Sequence, residues 1–263
     1  NCIGAVLIHY FANNIAFFVS CISALVALFL TTRIQDVHDP VQAPTLKACI
    51  TGARQQLADR SVWLIGILAT VVILVPFATR DTLTPVYAEQ LGARAGILAL
   101  LGNIHLLFYG LAIALCSSVF YQRLGLVKTA VLGIVLQVIS TFGIPFTSNI
   151  YVIYLWQALA GFSFGMAFAA FMSLSVVNTS SDEQSTRMGL FQTIYSCGMF
   201  VGPVMMGVMM QHINLSSGYI LIAALSVVAA IATPLSARWV YARKTQTSAQ
   251  LLKNGAYAAA PDQ

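Results

Sequence analysis

Long apolar stretches recur seven times along this chain of 263 residues. They run from about Ile15 to Thr32, Val62 to Leu83, Ala95 to Tyr121, Val127 to Phe146, Ile150 to Val177, Met188 to His212 and Ser217 to Val240. About 20 apolar residues, each rising 1.5 Å, cross the hydrocarbon core of a bilayer. The composition gives the same constraint. Apolar residues make up 59% of the chain and charged residues 8%, against roughly 25% charged in a soluble domain. So little charge cannot cover a surface facing water, so the outside faces lipid. The expected fold class is an all-α integral membrane protein.

Most links between the stretches are short, which suits antiparallel neighbours in a bundle. The exception lies between Arg33 and Arg60, which is polar and contains Pro40 and Pro44. Within it, Thr51 to Asp59 is expected to form a short surface helix. The division that follows is 1–33, 34–60 as a loop between bundles, 61–241 as a helical bundle, and 242–263 as a polar, irregular tail. The chain opens inside an apolar run without Met, so it is expected to be part of a longer protein.

Basic residues set the orientation. Alternate loops hold Arg33, Lys47, Arg54 and Arg60, then Arg123 and Lys128, then Arg187, then Arg238, Arg243, Lys244 and Lys253. Only Arg80 and Arg94, of 13 basic residues, fall on the other side. The long loop and the C-terminus are therefore expected on the cytoplasmic side. The net charge of +5 reads as topology and implies no nucleic acid. Cys2, Cys21, Cys49, Cys116 and Cys197 are scattered, with no CxxC pair and no cysteine–histidine cluster. They read as packing residues. With no nucleophile–base pair, phosphate loop or dinucleotide fingerprint, no enzyme, metal or cofactor is expected.

The strongest motif lies in the sixth stretch. Gly189, Gly198, Gly202, Pro203 and Gly207 form G-x8-G-x3-G-P-x3-G. Gly198 and Gly202, one turn apart, make a smooth strip on which another helix can approach. Pro203 removes a backbone donor and can bend the helix. This pattern resembles the antiporter motif of the major facilitator superfamily, which ends G-P-x-x-G-G, with Met206 in place of one glycine. A second, looser resemblance is "SSVFYQRLGLVK" (117–128), where Arg123, Gly125 and Lys128 fit a cytoplasmic-turn signature and Gln122 replaces its Asp. "TPVYAEQLGA" (84–93) is similar to the external end of the family's seventh helix. "GAVLIHYF" from Gly4 and "GVMMQHIN" from Gly207 suggest an internal repeat.

The resemblance implies helices six to twelve of twelve, preceded by the tail of the fifth. It implies drug or small-molecule efflux against protons, in a plasma membrane of the bacterial inner type. It also implies a first bundle of the same transporter as partner. An importer or symporter of the same fold stands as an alternative, as does a transport-dead fragment or membrane sensor.

Candidate cavity residues follow from helical spacing. Gln192, Tyr195, Ser196 and Met199 share one face, turned away from the glycine strip. His105, Tyr109, Ala112 and Cys116 share another. An ionisable residue inside a span is a functional candidate, and the reference value of His, near 6.5, suits proton coupling. Gln157, Gly161 and Gly165 fall one turn apart, with Trp156, Phe162 and Phe164 adding aromatic surface. Each face suits either a solute or plain helix packing. Arg80 and Asp81 lie about 30 Å beyond Arg60, at 1.5 Å per residue, near the external interface. Adjacent residues on a helix do not face each other, so no ready ion pair is expected there. Pro76 and Pro85 predict a broken helix end, with a new short segment from Thr84–Pro85 to about Gly92. Arg80 and Asp81 then read as an external gate or as an interface anchor.

Overall fold

The computed structural model describes residues 13–33, 46–93, 95–177, 179, 181–212 and 214–253. The described part is helical: α1 (Asn13–Thr31), α2 (Leu46–Ala58), α3 (Arg60–Ala78), α4 (Thr84–Gln90), α5 (Ala95–Leu115), α6 (Tyr121–Arg123), α7 (Leu126–Gly143), α8 (Ile150–Val176), α9 (Ser181–His212) and α10 (Leu215–Lys253). Among the described residues, six helical runs are long and apolar enough to cross a membrane: Arg60–Gln90, Gly96–Arg123, Leu126–Phe146, Ile150–Val176, Glu183–His212 and Leu215–Ser236. The expected six-span bundle is therefore present. The proposed repeat around Gly4 and the tail beyond Lys253 lie outside the described residues. The irregular tail expected from 242 is helical as far as Lys253.

Several helices begin where a side chain or glycine can supply what the first turn lacks. Asp59 Oδ1 accepts from Ser61 N at 2.9 Å to open α3. Asn149 Oδ1 accepts from Tyr151 N at 2.9 Å to open α8, and Asn214 Oδ1 accepts from Ser217 N at 2.8 Å in the first turn of α10. Gly125, with φ +77°, turns the chain into α7, a conformation an L side chain rarely adopts.

Helix α3 is central. It packs against α8, α9 and α10, while α8 also packs against α5 and α7, and α10 against α7. Small residues let backbones come close. A Cβ on Gly198 would run into the Thr70 carbonyl and lie 2.9 Å from Ile73 Cγ2; on Gly202 it would lie 2.9 Å from the Leu74 carbonyl. The glycine strip is thus the α3–α9 interface. A Cβ on Gly189 or Gly207 would meet nothing within 4 Å.

Two prolines in the Arg60–Gln90 run are accommodated differently. Pro76 has no N–H for the Val72 carbonyl, which an ordinary residue at this position would reach. Gln137 of α7 supplies the missing donor, Nε2 to Val72 O at 3.1 Å, with Gln137 only 2% exposed. At Pro85 the backbone shifts register instead. Thr79–Leu83 form a π-turn, and the N–H of Thr84 reaches the Thr79 carbonyl.

The helix is therefore widened at this point and continues to Gln90, which corrects the expected break. The expected end near Gly92 holds, with Leu91 as cap and Gly92 at φ +84°. A second correction follows from the same turn. Arg80 and Asp81 do pair: Nε to Oδ1 is 2.6 Å and Nη2 to Oδ2 is 2.7 Å. A π-turn has more residues per turn than an α-helix. Successive side chains are closer in angle, and the long arginine arm closes the rest.

Gly198→Val or Gly202→Val is expected to destabilise the detergent-solubilised protein by about 1–3 kcal/mol through overpacking. Gly207→Ala should be neutral or slightly stabilising, because alanine is the better helix former by about 1 kcal/mol. Thermal unfolding measures both, and equal losses at Gly198 and Gly207 would contradict the interface. Separately, Gln137→Leu strands the Val72 carbonyl and should cost about 1–3 kcal/mol. In a Pro76→Ala background that cost should shrink, because the substituted alanine restores the backbone donor; a double-mutant cycle reads the difference.

Candidate functional site

A chain of buried polar side chains joins three helices. Gln157 of α8 donates from Nε2 to Thr84 Oγ1 at 3.0 Å, and Thr84 Oγ1 lies 2.9 Å from the Tyr219 hydroxyl of α10. Thr84 and Gln157 are each 1% exposed and Tyr219 is fully enclosed. His105 of α5 is also buried, within reach of Gln157 and within electrostatic range of the Arg80 charge. Neither ring nitrogen of His105 has a hydrogen-bond partner, and Gln157 Oε1 has none. Buried polar atoms normally have partners, so this corner holds unused hydrogen-bonding capacity. Counting from Ala95, His105 lies about 15 Å into its span, near the middle of a ~30 Å core.

Glycines bring these side chains together. A Cβ on Gly161 would collide with the His105 carbonyl, and one on Gly165 would lie 2.6 Å from the Tyr109 carbonyl. The face containing His105, Tyr109, Ala112 and Cys116 therefore lies directly on the Gly161–Gly165 strip of α8.

From His105 a ladder of rings runs across three helices. His105 is 6.4 Å from Phe164, and Tyr109 stacks on Phe164 at 5.2 Å. Phe164 stacks on Phe168 at 5.4 Å, Phe168 meets Tyr195 edge-on at 5.4 Å, and Tyr195 meets Phe191 at 5.1 Å. Offset and edge-on rings at these spacings are favourable arrangements. Phe162 instead meets Phe120 at 6.3 Å. Trp156 donates to Thr147 Oγ1 at 3.0 Å and packs over Gly143.

The structure thus unites four of the expected cavity residues, His105, Tyr109, Gln157 and Tyr195. Gln192 and Ser196 are exposed, so the Gln192–Met199 face straddles the edge of the bundle. Arg80 and Asp81 form their own pair, with the guanidinium 5.9 Å above the Phe77 ring. Arg123 and Lys128 are exposed beside the Gly125 turn.

Thr84 entered the sequence reading only as the start of a short helical segment, and Tyr219, Phe168 and Phe191 had no place in it. The most connected residue it missed as a site is Arg187, which entered only as a topology charge. At 7% exposure, Arg187 donates to the Ser175 carbonyl (2.6 Å), Gln56 Oε1 (2.8 Å), Asp59 Oδ2 (2.9 Å) and Ser61 Oγ (2.5 Å). One guanidinium thereby ties α2, the start of α3, the end of α8 and the start of α9. No spacing rule could reveal this, because Asp59 is 128 residues away.

The Asp59 carboxyl is governed by opposing effects. Burial raises its pKa, but hydrogen bonds from Ser61 and Arg187, with the Arg187 charge, outweigh that and hold it below 3.8.

These features lie in six membrane-spanning runs with a glycine-lined interface. The family model described as Major Facilitator Superfamily matches residues 81–260. The chain belongs to the major facilitator superfamily. It is therefore a multi-pass membrane protein of a family of secondary transporters, and the family points away from an enzyme. No curated protein matches the chain.

Arg187→Ala should lower thermal stability by about 2–3 kcal/mol, since it strands several buried acceptors; Arg123→Ala should change it little. Because the folded Asp59 carboxyl titrates below its ordinary value, its contribution is present above pH 3.8 and is lost as pH falls through the lowered folded value. The stability advantage of the wild type over Asp59→Asn should follow that course. An advantage that persists unchanged well below pH 3.8 would show that the charge is not what matters.

Proposed function

We propose that this superfamily member is a proton-coupled exporter of small organic or amphiphilic compounds. The observation that carries the reading is the junction of the His105–Gln157–Thr84–Tyr219 corner with the aromatic ladder. Aromatic walls with few polar groups suit a partly apolar solute. A proton placed on His105 needs an acceptor, because a buried charge is costly unless paired. Gln157 Oε1, also without a partner, is the neutral oxygen beside it. Turning Gln157 toward His105 weakens its bond to Thr84 and loosens the tie between α8, α4 and α10. Proton uptake and helix movement are then linked through one side chain.

Alternating access requires two bundles rocking around a shared site. In this reading a first bundle packs on the present one. Helix α1 supports that, since Phe18, Ile22, Leu25, Leu28 and Leu30 are all exposed to 59% or more. The resemblance of the Gly198–Gly207 pattern to the antiporter motif supports export, and the placement of basic residues supports a cytoplasmic C-terminus. Arg80 and Asp81 pair with each other while the external mouth is open, and Arg80 turns to the first bundle when it closes.

The test uses inverted membrane vesicles holding the protein with both bundles. An imposed pH gradient should drive accumulation of a cationic amphiphilic dye. His105→Ala should reduce the pH-driven component by about fivefold or more, the lower range of ordinary coupling, without reducing the amount inserted. Unaltered pH-driven transport by His105→Ala would remove His105 from the coupling. Accumulation driven only in right-side-out vesicles would favour the importer.

A further inference from the structure

We infer that the groove between α3 and α10, at the Arg60 end of the bundle, binds a phospholipid with an anionic headgroup. The groove encloses about 780 Å³ and is lined mainly by apolar side chains, among them Trp63, Leu64, Ile67 and Leu235. It lies on a lipid-facing surface: Ile67 is 54% exposed and Leu235 60%, and Val228 and Ile231 continue the exposed apolar face along α10. It is remote from the polar corner, since Thr84 lies about 36 Å further along the same helical run at 1.5 Å per residue.

Charge decides which lipid. Arg60 stands at the rim of the groove and is exposed. Its neighbour Asp59, the obvious counter-ion, is taken by Arg187 and Ser61. Among the described residues Arg60 has neither an ion pair nor a hydrogen bond from its side chain. Among the described residues, then, no carboxylate meets this cation, and it faces the groove mouth unpaired. Ser236, also in the lining, donates to the Thr233 carbonyl of its own helix at 2.9 Å. Trp63, one turn from Arg60, is held by a bond from Nε1 to the Leu57 carbonyl at 2.9 Å. This fixes an interfacial indole as one wall, the usual depth for a tryptophan. A phosphate pairs with Arg60 while an acyl chain lies along Leu64, Ile67 and Leu235. A zwitterionic lipid fits the apolar wall equally well but brings its own cation to the headgroup region.

Trp63 reports occupancy directly. The intact chain is reconstituted in phosphatidylcholine vesicles containing increasing fractions of lipid with brominated acyl chains, either phosphatidylglycerol or phosphatidylcholine. The Trp63 signal is the difference between the wild type and Trp63→Phe, so the other tryptophans stay in place. Brominated phosphatidylglycerol should quench at about a fivefold lower fraction than brominated phosphatidylcholine, the factor for about 1 kcal/mol at one basic residue. Arg60→Gln, against its own Trp63→Phe blank, should abolish the preference. Arg60→Lys should keep most of it, and Arg123→Gln all of it. Equal quenching by the two lipids in the wild type overturns the inference. So does quenching by neither, which means a protein segment or a second copy fills the groove. Loss of the preference in Arg123→Gln overturns it too, because the attraction is then a diffuse field.

Discussion

The absence of water from the bilayer core governs this structure. Every backbone N–H and C=O at that depth must find a partner within the protein. Helices meet that demand, and the interest lies where a helix alone cannot. At Pro76 the Val72 carbonyl loses its donor and takes Gln137 from another helix. At Pro85 the backbone instead slips into a π-turn, with Thr84 bonded back to Thr79. The second solution re-aims side chains. It brings Arg80 onto Asp81 and leads directly into Thr84, the centre of the buried polar chain. A local shortage of backbone donors thus positions the candidate site.

Close approach is the second consequence. Lipid tails are as apolar as leucine, so helices associate by fit rather than by escape from water. Glycines let α3 meet α9 and let α5 meet α8. The second contact sets His105 beside Gln157. The two ends of the bundle then differ in kind. One is held by a charged clamp, Arg187 with Asp59, Ser61, Gln56 and Ser175, which also ties helix α2 to the bundle. The other is held by neutral hydrogen bonds from Gln157 through Thr84 to Tyr219. Neutral ties break at smaller cost, and that end bears the Arg80–Asp81 pair.

Six runs long and apolar enough to span, the helix before Arg60, the glycine strip and the shared helix faces that carry His105, Tyr109, Gln157 and Tyr195 were readable beforehand. Each follows from apolar run length or from 3.6-residue spacing, which are local properties. The failures share the opposite character. Arg187 looked like an ordinary topology charge because its partners lie up to 131 residues away. Tyr219 has no helical-spacing partner that marks it within the apolar stretch from Ser217. Arg80 and Asp81 were judged by α-helical angles, and the π-turn changed the angles. Gln192 shared a face with Tyr195 in projection, yet one is exposed and the other buried, because α8 covers only part of that face.

By itself, the sequence determined that this chain lives in a membrane, which of its described runs are long and apolar enough to cross and which helix faces are smooth. Those outcomes depend on the total apolar content and its period, which no packing arrangement can alter. Only the tertiary structure decided which polar groups meet. The links from Gln157 to Thr84, from Thr84 to Tyr219, from Gln137 to Val72 and from Arg187 to Asp59 each join residues 65 or more positions apart. Their distances are set by how closely the helices approach, and that depends on side-chain volume at every level of the bundle together.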